Sequence, residues 1–199
     1  MKKTSLKIRL SLSGALMIVA LFLTHSYISI AALLASVLHE AGHIVAAKLC
    51  KIPMTELKLG IFGAALTPAQ TLLSYKKEII LSLAGPLVNL LCALPLTVLI
   101  KEPDGFCQLF LTASLFLGFL NLLPITDFDG GRILYCLLSY KFSPDTAQKA
   151  VKTLSFLLVF TLWSLSVYLL IKLTSSLSLF IFSLSLFSKL FLTKEKVFF

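Results

Sequence analysis

Six apolar stretches dominate this chain of 199 residues. They run over about 10–23, 28–49, 79–100, 106–123, 154–171 and 177–192. Stretches of this kind have few ways to fold. A bilayer core takes roughly 20 residues of α-helix to cross, and inside lipid the backbone must satisfy its own hydrogen bonds. The first and last stretches are short for a span. Hydrophobic residues make up 58% of the chain, with a mean hydropathy of +0.96, where a soluble domain is nearer half apolar. The expected fold is an all-α polytopic membrane protein of about six transmembrane helices, forming a single domain over 1–199.

Charge placement points the same way. The net charge is +9, which on a soluble protein would raise nucleic acid as a partner. Here the basic residues sit between apolar stretches, so the expected partner is the lipid bilayer and no nucleic acid. With both termini in the cytoplasm, only Lys101 and Lys172 of the 18 Lys and Arg fall on the outer side, a strong positive-inside bias. The basic start, Met1 to Arg9, runs straight into apolar sequence without a small-residue cleavage site, so an uncleaved first helix is expected. Cys50, Cys92, Cys107 and Cys136 are widely spaced and form no C-x-x-C pair. They read as small apolar fillers.

Between the second and third stretches the pattern changes. Thr55 to Leu59 alternates polar and apolar, and Gly60 and Gly63 follow. This period predicts a short membrane-associated β-hairpin between helices 2 and 3. No internal repeat is visible, which argues against a transporter built on one.

The second stretch carries His39-Glu40-Ala41-Gly42-His43, an H-E-x-x-H. Residues four apart on a helix lie about 40° apart around its axis, so both imidazoles face one side and can grip one metal ion. The Glu between them can act on a water at that metal. A charged side chain at mid-bilayer costs roughly 3 kcal/mol on insertion scales, and three ionisable groups cluster here. Zinc usually takes a third protein ligand and keeps one position open. His25 lies in an outer loop, remote from the pair. Asp127 and Asp129 follow Pro124, which breaks the fourth stretch, and Gly130-Gly131 would let the backbone turn sharply after them. By residue type alone either aspartate can serve.

His39-Glu40-x-x-His43, Ala84-Gly85-Pro86-Leu87-Val88-Asn89 and Asn121-x-x-Pro124-x-x-x-x-Asp129-Gly130-Gly131 stand in this order on three successive stretches. Together they resemble the site-2 protease family of intramembrane zinc metalloproteases, peptidase family M50. The match covers roughly 36–134, with a catalytic core expected over about 28–142. With six spans and no inserted PDZ domain, the chain most resembles the stage IV sporulation protein FB branch, though without the CBS domain common there.

The resemblance implies one Zn2+ held by His39, His43 and Asp129, with Glu40 as the general base. It implies that Asn121, and less firmly Asn89, contacts the substrate or the oxyanion. It also implies a hairpin that offers a strand edge to an unwound substrate. The implied substrate is a membrane-embedded or membrane-tethered protein, such as a sigma-factor precursor or an anti-sigma factor. The resemblance also allows for an inhibitory membrane partner. The implied location is a bacterial cytoplasmic membrane, with the active site toward the cytoplasm.

Other readings of the same residues stand beside this one. A metal or ion transporter could line its path with His39, Glu40, His43 and Asp129, although the remaining spans are almost purely apolar. A pseudoprotease could hold a partner without cutting it, although Glu40 is present. Asp129 could cap a helix. Asn89 and Asn121 could be hydrogen-bonding glue between helices, and Gly85-Pro86 a packing notch.

Overall fold

The computed structural model describes residues 7–10, 27–52, 54–60, 63–68, 73–99, 105–173 and 177–192. The chain divides into two compact units, Met1–Asn121 and Leu122–Phe199.

The first unit contains strand β1 (Lys7–Leu10), helix α1 (Tyr27–Leu49), strands β2 (Met54–Gly60) and β3 (Gly63–Pro68), and helices α2 (Tyr75–Leu99) and α3 (Gly105–Asn121). The three helices pack against one another pairwise. Small residues make this possible. The buried face of α1 is Ala31, Ala35, His39, Gly42, His43, Ala46 and Ala47. At Gly42 the backbones come so close that an added Cβ would lie 2.6 Å from the Ala84 carbonyl oxygen of α2. At Gly118 of α3 a Cβ would lie 3.0 Å from Leu90 and 3.3 Å from the Pro86 carbonyl oxygen. Lipid tails are as apolar as side chains, so close van der Waals contact between small residues is what favours helix association. The large apolar residues Leu34, Val37 and Val45 point outward from α1.

The end of α1 is closed by a recognisable motif. Ile52 donates its N–H to the Ala47 carbonyl at 2.9 Å, and Lys51 between them adopts φ 52°. This six-to-one bond around a left-handed residue is a Schellman cap. Its usual apolar contact is present, because Ile52 is buried with Ala46, Ala47 and Leu81.

Strands β2 and β3 pair antiparallel, from Met54 opposite Pro68 to Gly60 opposite Gly63. Strand β1 adds in parallel on the far side of β2, with Lys7 opposite Glu56. The sheet order is β1-β2-β3, leaving β3 as an outer strand.

The second unit contains helices α4 (Asp129–Ser139), α5 (Pro144–Leu173) and α6 (Leu177–Leu192). Its core joins Ile125, Val159 and Leu186, with Phe128, Leu162 and Phe182 packed around them. Ser143 caps α5: its hydroxyl accepts from the Thr146 N–H at 3.3 Å. Pro144 then occupies the first helical position, where its missing N–H costs nothing. The Ser166 and Ser183 hydroxyls tie α5 to α6 at 3.0 Å.

The architecture differs from the expected one in three places. Among the described residues, three helices are long and apolar enough to cross a membrane, Tyr27–Leu49, Tyr75–Pro95 and Pro144–Lys172. The stretches at 106–123 and 177–192 form shorter apolar helices. The 17 residues of α3 rise about 26 Å at roughly 1.5 Å each, against about 30 Å of hydrocarbon. The first expected span, 10–23, lies outside the described residues except for Leu10, which is in β1.

The second difference is α4, a helix where a sharp turn was expected. Gly130 and Gly131 are both inside its first turn. They supply room, not conformational freedom. A Cβ on Gly130 would collide with the Leu122 carbonyl, and one on Gly131 with the Ile125 carbonyl. The third difference is that α5 begins ten residues before the apolar stretch at 154, because the Ser143-Pro144 start precedes it.

Candidate metal centre

Helix periodicity alone brings His39 and His43 to the same side of α1. Their Nε2 atoms are 3.1 Å apart, and their ring centroids lie 4.8 Å apart with the planes at 80°. Both residues are buried, His39 at 5% and His43 at 9% exposure. Glu40, between them in sequence, is half-buried.

The neighbouring helix sets how His43 is held. His43 donates from Nδ1 to the Leu81 carbonyl oxygen of α2, 2.8 Å away. A carbonyl can only accept, so the proton of the neutral ring must be on Nδ1. The Nε2 lone pair is therefore left facing His39.

The pair fits a zinc ion on these grounds. Zinc–imidazole bonds are about 2.0–2.1 Å long, and two nitrogens 3.1 Å apart can both reach one ion at that length. Ligation needs an unprotonated nitrogen, which the bond to Leu81 provides on His43.

The other expected site residues are placed as follows. Asn121 is the last residue of α3, and its amide Nδ2 donates to the Leu117 carbonyl at 3.0 Å, one turn back along the same helix. Asn89 is 0% exposed on α2, and neither its Nδ2 nor its Oδ1 has a hydrogen-bond partner among the described residues. Asp129 opens α4 in the second unit. The residue before it, Phe128, provides no side-chain cap. An acid in the first turn also faces the favourable end of the helix dipole. Asp127 is exposed and Asp129 half-buried. His25 lies outside the described residues.

Two participants escaped sequence reasoning. The Leu81 carbonyl has no sequence signal at all, since every residue carries one. Gly85 was visible only as part of a packing motif. In the fold, a Cβ on Gly85 would collide with His43 Nε2 and lie 2.8 Å from His39 Nε2.

Residues 27–103 and 100–162 match the profile of Peptidase family M50. Over 147 residues, 68% of this chain, the sequence is 32% identical to a zinc metalloprotease of Methanocaldococcus jannaschii. The matched stretch is 42% of that relative, so the chain spans less than half of its length. The solved site-2 protease from Methanocaldococcus jannaschii superimposes with a TM-score of 0.66 at 24% identity. That likeness, which is one of fold, covers 98% of this chain and 94% of the other.

Proposed function

Because this chain belongs to peptidase family M50 and is an integral membrane protein with, among its described residues, three helices fit to span a bilayer, we propose that it is a zinc metalloprotease. Its substrate is a protein embedded in or tethered to the membrane. The observation that carries this reading is the buried pair of imidazole nitrogens, 3.1 Å apart, with Glu40 beside them on one helix.

His39, His43 and Asp129 would hold the ion, a donor set of two imidazoles and one carboxylate that is ordinary for a catalytic zinc. Zinc, when bound, supplies a Lewis acid for the scissile carbonyl and lowers the pKa of water toward about 7. Glu40 is the general base. Its carboxylate takes a proton from the attacking water and passes it to the leaving amine, so its charge is restored at the end of the cycle.

Asn121 stands at the end of α3, where the chain leaves the helix. One Nδ2 hydrogen is committed to Leu117 and the second is left for an oxyanion or a substrate carbonyl. Asn89 does not reach the reacting atoms in this reading, and acts as a polar packing residue. Strand β3, an outer strand of the sheet among the described residues, offers the backbone edge on which an extended substrate would pair. A helical substrate hides its peptide bonds, so pairing of this kind would hold it open for attack. The Lys and Arg distribution supports a cytoplasmic placement of both termini and of the site. The resemblance to sporulation proteases suggests a bacterial membrane and a sigma-factor precursor or anti-sigma factor as substrate.

The test is co-expression with a tethered candidate substrate, comparing the wild type with Glu40→Gln. Cleavage falls by roughly 100-fold or more, while the purified variant keeps its zinc. Undiminished cleavage by Glu40→Gln removes the proposed base. A wild-type protein that takes up no zinc removes the proposed centre.

A further inference from the structure

We infer that the Leu81–Gly85 turn of α2 is a built receptor for the two imidazoles of α1. It presets which nitrogen of His43 carries the ring proton and leaves room for both Nε2 atoms. Gly85 is thus a positioning residue of the centre. The inference rests on the reading of His39 and His43 as metal ligands.

Three observations converge on this turn. The first is the hydrogen bond from His43 Nδ1 to the Leu81 carbonyl, 2.8 Å long and buried. It crosses from one helix to the other and places the ring proton on the side away from His39. Free imidazole exchanges between two tautomers, and only the one protonated on Nδ1 leaves Nε2 able to bind. A carbonyl fixed in a neighbouring helix removes that ambiguity before any ion arrives.

The second is the space at Gly85. One turn beyond Leu81, a Cβ at this position would meet His43 Nε2, His43 Cε1 at 2.7 Å and His39 Nε2 at 2.8 Å. Real Cβ atoms do not approach so closely. A single methyl group here would push both candidate ligand atoms at once. Gly42 and Gly118 differ in this respect. An added Cβ on Gly42 meets the Ala84 backbone and Val88, and one on Gly118 meets Leu90 and the Pro86 carbonyl oxygen. Those two glycines serve helix packing, whereas Gly85 serves the imidazoles.

The third is Pro86, which follows directly and lies inside α2. It has no N–H for the Ser82 carbonyl, so this turn of the helix lacks one intrahelical bond. Leu81 and Ser82 are both buried here, at 5% and 1% exposure. The stretch that receives His43 thus adjoins one of the two places where a proline interrupts the ladder of α2.

The test uses the full-length protein in detergent with two independent readouts. The first is taken on the metal-free wild type with 15N-labelled histidine. His43 is expected to show a protonated Nδ1 and an unprotonated Nε2. A ring protonated on Nε2, or an even mixture of tautomers, overturns the inference. The second is metal affinity. Gly85→Ala is expected to weaken zinc binding by about 10- to 100-fold, the usual effect of disturbing a partner of a ligating histidine. It is also expected to change the absorption spectrum of bound Co2+. Gly118→Ala, which crowds the same helix bundle away from the imidazoles, leaves the zinc affinity within about threefold of wild type and the Co2+ spectrum unchanged.

If Gly85→Ala binds zinc as the wild type does, with an unchanged Co2+ spectrum, the positioning role is wrong and the zinc reading stands. If the wild type binds no zinc through His39 and His43, the zinc reading fails. The tautomer measurement, made without metal, still decides the role of Leu81. It also decides that role if Gly85→Ala fails to fold.

Discussion

Thr126 and Ser155 share a buried hydroxyl–hydroxyl hydrogen bond of 2.8 Å. The Thr126 N–H also donates to the Ser155 oxygen, at 2.9 Å. Ser155 in turn donates to the Val151 carbonyl of its own helix at 2.7 Å. One serine of α5 therefore anchors the loop that runs from Pro124 to Asp129. The anchor lies three residues before the carboxylate proposed as third zinc ligand.

Replacing Ser155 by Ala would leave the Thr126 N–H and hydroxyl buried without this partner. Each stranded polar group costs about 1–3 kcal/mol. Ser155→Ala is expected to lower stability by roughly 2–4 kcal/mol, read as a lower unfolding midpoint in detergent. A midpoint equal to that of the wild type would show that water or another group takes the place of Ser155.

Gly130→Ala should be costly for a different reason. Its Cβ would collide with the Leu122 carbonyl and come to 2.5 Å from the Leu123 oxygen. These are backbone atoms and cannot swing aside as a side chain can. Overpacking of this type costs about 1–3 kcal/mol and sometimes more. The start of α4 would be displaced, and Asp129 with it. Limited proteolysis within 122–131 should be faster in the variant, and equal rates would speak against the close approach.

Lys51→Gly should stabilise the protein. Lys51 holds φ 52° to close the Schellman cap of α1. That conformation costs a residue with a Cβ about 1–2 kcal/mol, and glycine adopts it freely. A gain of roughly 1 kcal/mol is expected after the greater entropy of unfolded glycine is subtracted. Thermal or denaturant unfolding measures it, and a loss of stability would mean that the lysine side chain does more than close the turn.

The two aspartates can be separated directly. If Asp129 completes the zinc set, Asp129→Ala lowers zinc affinity by at least about tenfold. Asp127→Ala, at an exposed position, leaves it within about threefold. Metal analysis after dialysis against a graded series of chelators gives both values. The opposite ranking would move the ligand to Asp127.

The helices of this protein were legible because lipid is an exacting solvent. A run such as 28–49 can satisfy its backbone only as a helix, and α1 occupies Tyr27–Leu49. Once that helix exists, the spacing of His39 and His43 suffices to place both imidazoles on one side. The end of α3 before Pro124 carries a local signal of the same kind, whereas the start of α5 at Pro144 lies ten residues ahead of the apolar stretch that marked this helix. In contrast, Gly130-Gly131 suggested a turn and proved to lie in a helix, because glycine marks close approach as readily as it marks flexibility.

The sequence by itself determined the apolar helices, the facing pair of histidines and the glutamate between them, since each depends only on residue type and helical period. Only the tertiary structure decided that Leu81 holds the His43 proton, that Gly85 clears space for both Nε2 atoms, and that Ser155 anchors the loop before Asp129. The physical reason is that a backbone carbonyl, a missing Cβ and a buried hydroxyl acquire their meaning from the neighbour that packing brings to them. No period along the chain encodes which neighbour that will be.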